Sequence, residues 1–293
     1  LIATLLRATT LAMQIGIFAR TFQRSTLGES LDAVVNCGAE TVQFNFSCVG
    51  LPTLPERIDD ALLEQIQVEF SKRRLRMAAL SGTFNMIHPD AVIRNDGLRR
   101  FRTLSSAARR LGVPIITLCT GTRDPENMWR RHPENDRLDA WNDLLVSLKQ
   151  ALRIAESDGV TLGIEPEPAN VVDSAPKCRR LLDELRHPRL GVVMDAANLF
   201  RAEDLPQMRD ILDEAFTLLG KDIVLAHAKD VRMDRGLRHV AAGHGCLDYD
   251  HYLDFLRSAG FIGSIVLHEL SETEAPGCVA FLRAKIDRVK PPK

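Results

Sequence analysis

This 293-residue chain lacks charge of one sign: 38 Lys and Arg against 39 Asp and Glu leave a formal net charge of -1. No overall basic field is available to hold nucleic acid, and there is no acidic tail. Paired cysteines are also missing. Cys37, Cys48, Cys119, Cys178, Cys246 and Cys278 are scattered and form no CxxC pair. Several sit in apolar runs, where a free thiol behaves as a small hydrophobe, and the pattern reads as a reduced, cytoplasmic protein. A membrane-length apolar run is absent too. Leu1–Met13 is mildly apolar but broken by Thr4, Arg7, Thr9 and Thr10, which makes it too short and too polar to span a bilayer. It has no clean small-residue cleavage site. Because Met13 directly precedes the first strand-like run, residues 1–12 read as an N-terminal extension and 13–293 as one domain. No Gly-, Ser- or Pro-rich linker divides the chain, and no low-complexity segment interrupts it.

What is present is an alternation of two periods. Strand-like runs cover Met13–Phe18, Thr41–Phe46, Arg76–Ser81, Ile115–Cys119, Val160–Glu165, Leu190–Asp195, Ile223–His227 and Ser264–Glu269. Between and after them lie amphipathic segments: Thr26–Cys37, Arg57–Arg74, Gly97–Leu111, Leu138–Glu156, Ser174–Leu185, Leu205–Leu219, Tyr249–Ser258 and Thr273–Val289. In Arg57–Arg74 the residues Ile58, Leu62, Ile66 and Phe70 make one helical stripe, and in Leu138–Glu156 Leu144, Leu148 and Leu152 do the same. Continuous apolar strands between amphipathic helices imply a parallel sheet covered on its outer face. Eight such units in a chain of this length predict an α/β fold, a (β/α)8 TIM barrel. The segments after the strands are long (Asn45–Glu56, Gly82–Asn95, Thr120–Arg137, Asp230–Asp248) and those before them short, as in a barrel with its site at the strand carboxyl ends.

Glu165, Asp195, His227 and Glu269 close four consecutive strand-like runs. In a closed parallel barrel those ends converge on one mouth. Alternation puts Asp195 on a face with Gly191 and Val193, His227 with Ile223 and Leu225, and Glu269 with Ile265 and Leu267, all residues small or apolar enough to line a barrel. A carboxylate in such a place is costly unless paired or bound to metal. Three carboxylates and one imidazole without thiolate therefore predict one divalent ion, Mn²⁺, Mg²⁺, Co²⁺ or Zn²⁺, with ligand type alone not choosing among them. Taken singly, each of these residues also reads as a helix cap or a structural hydrogen-bonding group, as Asp230 does.

The segments GIEPEPAN (Gly163–Asn170), VVMDAANLF (Val192–Phe200), LAHAKD (Leu225–Asp230), GHGCLDYDHY (Gly243–Tyr252) and IVLHE (Ile265–Glu269) resemble the sugar phosphate isomerase/epimerase family. These are xylose isomerase-like barrels related to ketose 3-epimerases, inosose dehydratases and endonuclease IV. The resemblance runs from about Met13 to about Val289 and is strongest after Val160. It implies that Glu165, Asp195, His227 and Glu269 match the epimerases' metal ligands. It also implies that Glu165 and Glu269 move protons on opposite faces of a ketose or keto-sugar through a metal-stabilised enediolate. One departure stands out: where epimerase relatives often carry a substrate-contacting histidine, this chain has Asn198. Loss of that histidine, a zinc ligand in endonuclease IV, together with the neutral charge, argues against an abasic-site endonuclease. A lyase or dehydratase acting on a keto-inositol or keto-sugar is the nearest rival, and a non-catalytic sugar-binding barrel a further one. The family's substrate arginine has no clean match among Arg232, Arg235 and Arg238. The expected partner is a small carbohydrate substrate, with neither nucleic acid nor membrane, and the resemblance implies a homo-oligomer.

Other residues carry two readings each. Asn85 and His88 in SGTFNMIHP read as substrate contacts or as a loop cap, with His88 as an extra metal ligand a weaker option. Thr120, Gly121, Thr122 and Arg123 suit hydroxyls or phosphate but lack P-loop spacing. Trp129 stacks on a sugar or packs its loop down. Glu167, in phase with Glu165 between two prolines, reads as a substrate contact or an inter-loop salt bridge, and Lys229, in phase with His227, as an oxyanion partner or a structural ion pair. His244 lies in a turn, and Gly243 and Gly245 signal unusual backbone angles.

Overall fold

A computed structural model describes residues 13–288; the expected extension at 1–12 lies outside the described residues. In chain order the main elements are β1 (Gln14–Phe18), α1 (Leu27–Asn36), β2 (Thr41–Phe44), α2 (Asp60–Lys72), β3 (Arg76–Ser81), α3 (Ala91–Leu111), β4 (Ile115–Cys119), α4 (Leu138–Asp158), β5 (Thr161–Glu165) and α5 (Ala175–Leu185). They continue as β6 (Leu190–Asp195), α6 (Met208–Leu219), β7 (Ile223–Ala228), β8 (Asp230–Met233), β9 (Leu237–Val240), α7 (Tyr249–Ser258), β10 (Ser264–Leu267) and α8 (Ala275–Arg288). Eight strands close a barrel in the order β1-β10-β7-β6-β5-β4-β3-β2, every pairing parallel. This is the expected (β/α)8 architecture.

Local chemistry sets the boundaries. Thr26 and Glu29 form a reciprocal capping box that starts α1. Gly112 and Gly159, at φ 70° and 73°, end α3 and α4 in the left-handed conformation that only glycine adopts without strain. The main core lies between sheet and helices, whereas the barrel's own axis is filled by a small cluster: Ala79, Val193, Leu225 and Val266. Gly163 makes room for Val193 of that cluster and Gly191 for the neighbouring Val224. A Cβ on Gly163 would come 2.7 Å from Val193 Cγ2, and one on Gly191 2.4 Å from Val224 Cγ1.

The register corrects one expectation. Val266 pairs with His227 and Leu267 with Ala228, and residues level with one another on parallel strands point to the same side. Val266, beside inward-facing His227, therefore lines the axis, while Ile265 and Leu267 pack outward against the helices. The strand ends at Leu267 rather than Glu269, and the next inward position is His268.

A second difference is the hairpin β8–β9, where the sequence read only as a loop. Its strands are four residues each, paired Asp230↔Val240 to Met233↔Leu237, and rich in arginine, so they carry no apolar alternation. Asp230 fastens the segment that follows. Its Oδ1 accepts from the backbone N–H of Val231 and Leu247, both at 2.8 Å, and its Oδ2 from Gly243 at 3.1 Å. Gly243 has the positive φ expected of it, 86°; Gly245 is required for another reason, since a Cβ there would lie 2.2 Å from Val231 O. No helix among the described residues is long and apolar enough to cross a membrane.

Candidate functional site

At the carboxyl end of the barrel, ligand atoms of Glu165, Asp195, His227 and His268 all lie within 4.8 Å of one another. His227 Nδ1 stands 3.2 Å from Glu165 Oε1 and 3.8 Å from Asp195 Oδ2, and His268 Nε2 is 2.7 Å from Asp195 Oδ2. All four are largely withdrawn from water. Two carboxylates and two imidazoles, converging with no thiolate, fit a divalent cation. Glu269, expected in this set, is exposed and lies outside it. It instead lines the adjoining cavity of about 410 Å³ together with Glu165, Glu167, His227, Lys229 and His268. A larger cavity, about 730 Å³, opens at the opposite end among the strand starts Gln14, Arg76 and Ser264. That end of a TIM barrel serves stability rather than chemistry.

Gln43 completes the site, and sequence reasoning missed it. Its Nε2 donates to Ser81 Oγ and Thr117 Oγ1, which fixes the amide so that Oε1 accepts from His227 Nε2 at 2.9 Å. That bond places the imidazole proton on Nε2 and leaves the Nδ1 lone pair facing Glu165 and Asp195, as a metal-ligating histidine requires. The available signal was an amide side chain in TVQF, a strand buried along its whole length. Gln43→Leu is expected to weaken divalent-metal binding by about 10–100-fold while the barrel still folds. Calorimetric titration with Mn²⁺ beside a circular dichroism melt measures both.

Charge is concentrated here. Burial pushes the Asp195 carboxyl up, but Lys229, His268 and His227 together outweigh it and hold it well below the usual carboxylate range. Burial likewise works against the Lys229 ammonium, yet Asp195, with Nζ to Oδ2 3.4 Å, and Glu165, Glu167 and Glu269 keep it above the ordinary lysine value. Burial lowers His268 further than Asp195 restores it. Glu167 is pushed up to about 8, by burial first and then by the Glu165 charge. In the metal-free protein at pH 7 Glu167 is thus largely protonated, and a cation entering beside Glu165 reverses the cause. Metal binding near pH 7 is therefore expected to release about one proton, and Glu167→Gln to abolish the release. Calorimetry in buffers of differing ionisation enthalpy counts it.

The remaining expected residues divide between cavity and scaffold. Glu167, Lys229 and Trp129 line the cavity, with Trp129 more than half exposed. Asn198 does not. It lies behind Glu165, donating to Glu165 Oε1 at 3.0 Å and Pro166 O at 3.2 Å, and its Oδ1 is buried without a partner. Asn85 and His88 are scaffold because their polar atoms are already engaged. Asn85 donates to Thr122 O and accepts from the N–H of Thr122 and Ile87, and the ring nitrogens of His88 meet Pro125 O and the Asp90 N–H. Thr120 accepts from the Val172 N–H of the next loop, Thr122 donates to Arg130 O within its own, and Arg123 bonds to Ile87 O and Asp143. Arg232 and Arg238 grip Asp234 on the hairpin, and His244 faces Glu274 at 3.4 Å.

The family model described as xylose isomerase-like TIM barrel matches residues 31–285. The chain belongs to that family. Among curated relatives it is 24% identical over 190 residues to L-ribulose-5-phosphate 3-epimerase UlaE of Shigella flexneri serotype 5b (strain 8401), covering 65% of this chain and 62% of that one. The UlaE of Escherichia coli O157:H7 (strain EC4115 / EHEC) is 24% identical over 184 residues, 63% of this chain and 60% of that one. The match thus spans less than two thirds of the length of these relatives. In fold the family barrel superimposes on a D-tagatose 3-epimerase-like protein with a TM-score of 0.73 at 14% identity, covering 94% and 98% of the two chains. An IolI protein with a bound zinc atom gives 0.71 at 18% identity, covering 95% and 99%. The apo 3-keto-D-glucoside 4-epimerase YcjR from E. coli gives 0.72 at 17%, covering 93% and 99%. The curated relatives are sugar epimerases, and this member carries a buried carboxylate–histidine cluster able to hold a metal at the expected end of the barrel.

Proposed function

We propose that the protein is a divalent-metal-dependent isomerase or epimerase of a small ketose or keto-sugar. The observation that carries the reading is the convergence of Glu165, Asp195, His227 and His268 beside a cavity also lined by Glu167, Lys229 and Glu269. With His268 in the set, two nitrogens join two oxygens, which favours an imidazole-binding first-row ion such as Zn²⁺ over Mg²⁺. When bound, the ion would draw electron density from the substrate's carbonyl and hydroxyl oxygens and acidify the intervening C–H. Glu165 then takes the proton from that carbon. Asn198, donating to Glu165 Oε1, steers which oxygen does so. Glu269, at the cavity wall, returns a proton to the other face, and the Lys229 ammonium holds substrate oxygens by donated hydrogen bonds. Trp129 and Met128 line the same cavity.

L-ribulose 5-phosphate is the first ketose to try, since curated relatives bear its name. The test incubates metal-loaded protein with the ketose in D₂O and reads deuterium at the carbon beside the carbonyl by NMR. Deuterium uptake with an epimeric or isomeric product, lost in Glu165→Gln, is expected. An unsaturated or diketo product would move the protein to the lyases. Absence of uptake across a panel of ketoses, with metal bound, would sink the reading.

A further inference from the structure

The wall of this cavity is rich in carboxylates: Glu165, Glu167 and Glu269 line it and Asp195 lies just behind. Apart from the histidines, its cations are Lys229 and Arg20. Lys229 is held by Asp195 at 3.4 Å. Arg20 has no carboxylate at ion-pair distance among the described residues, although Arg24, one turn along the same loop, grips Glu272 with both terminal nitrogens. Exposed, Arg20 rests its Cζ 5.8 Å from the centroid of the Phe18 ring, and that ring leans on His268 and His227 at 5.5 and 5.7 Å. The guanidinium is therefore one aromatic ring removed from the metal-ligating imidazoles, too far to share their ion and near enough for the far end of a ketose chain. A second, polar recess of about 400 Å³ shares Phe18, Arg20, His268 and Glu269 with this cavity, and there Arg20 stands with Thr21, Ser271 and Glu274.

We propose that Arg20 is a substrate-binding residue that reads an anionic group at the end of the sugar remote from the reacting carbons, so that the substrate is a ketose bearing a phosphate or a carboxylate. The inference rests on the sugar-converting reading of this cavity. A planar, permanently charged fork binds either anion bidentately. Phe18 holds the fork against the wall, which lowers the entropy lost when the anion docks. An uncharged sugar gains nothing from Arg20, while the anionic end of a charged one, without it, faces Glu269 and Glu274 in the recess. Specificity for a charged substrate then follows from one attractive contact set among repulsive ones.

The test measures binding rather than turnover, on metal-loaded wild type, Arg20→Gln and Arg20→Lys. Calorimetric titrations use L-ribulose 5-phosphate, L-ribulose, a ketose carrying a terminal carboxylate, and inorganic phosphate. Fluorescence of Trp129 at the cavity gives a second signal, since the chain's other tryptophan, Trp141, is buried. Wild type is expected to bind one of the anionic sugars about tenfold or more tightly than L-ribulose. Arg20→Gln should remove that advantage without changing L-ribulose affinity, and Arg20→Lys should keep part of it. Preference for the phosphorylated sugar identifies phosphate as the group read, and preference for the carboxylate-bearing ketose identifies a sugar acid. Equal affinity of wild type and Arg20→Gln for both anionic sugars and for inorganic phosphate overturns the assignment. Arg20-dependent anion binding without deuterium uptake would retire the epimerase reading and leave the anion site standing.

Discussion

Asp195→Asn is expected to lower divalent-metal affinity by about a thousandfold or more, well beyond the 10–100-fold typical of an outer-shell change, and to bring deuterium exchange to background. Asp195 is buried, takes the Ala197 N–H at 3.1 Å on Oδ1, and gathers His268, Lys229 and His227 around Oδ2. The amide preserves shape but removes the charge those three groups face. Lys229, almost fully buried, then loses its nearest counter-ion. Breaking one side of a buried pair costs about 3–5 kcal/mol, and the lower end applies here because Glu165 and Glu269 still attract the ammonium. The metal-free variant should therefore melt roughly 5–10 °C below wild type.

The pH dependence has a definite sign. The folded carboxyl is held below its unfolded value, so its contribution is fully present above the unfolded pKa of about 3.9 and is lost as pH falls towards the folded one. The gap between wild type and Asp195→Asn should be level near neutrality and close in acid. Mn²⁺ calorimetry and urea titrations from pH 7 to pH 3 measure it. Unchanged metal binding in Asp195→Asn would remove the metal site from this position.

Glu269→Gly separates function from stability. Among the described residues, three other than glycine have positive φ: Arg74, Arg186 and Glu269. Arg74 and Arg186 follow the ends of α2 and α5, where a left-handed residue ends a helix. Glu269, at φ 53°, follows a strand at the edge of the cavity and has no such excuse. Strain of this kind, about 1–2 kcal/mol, concentrates at functional sites. Glycine relieves it but adds freedom to the unfolded chain, so the net change in stability should lie between zero and a gain of about 1 kcal/mol. Exchange should nonetheless fall by about 10²–10⁴, the worth of a positioned acid or base. Glu269→Gln should lose the same activity with no gain in stability, because it keeps the strained backbone and loses only the proton. Full exchange in Glu269→Gln would eliminate the proposed proton donor and point to Glu167.

Much of this was legible in the residues. β3, β4, β6 and α7 were read with the bounds they have, and Val193 and Asp195 share a face as expected, level with Leu225 and His227 of β7. The reading failed at β10 for a physical reason. SIVL is buried on both faces, so the period-2 signal that tells inside from outside is absent, and HE offers a credible ligand at either parity. Only the pairing of Val266 with His227 makes His268 the inward residue. Asn85 and His88 were overweighted because loop polarity alone does not say which polar atoms a neighbouring loop consumes. Gln43 was overlooked because its role depends on β3, β4 and β7 together.

By itself the sequence determined the alternation of strands and helices, hence a parallel barrel, and the convergence of Glu165, Asp195 and His227 at one mouth, because apolar periodicity and strand order are local properties that closure turns into geometry. Tertiary structure alone decided that His268 completes the cluster while Glu269 stands at the cavity, that Gln43 sets the His227 tautomer, and that Arg20 remains uncommitted beside Phe18. Each of these depends on register and on which partner a polar atom meets across the barrel, and neither is encoded in any single stretch of chain.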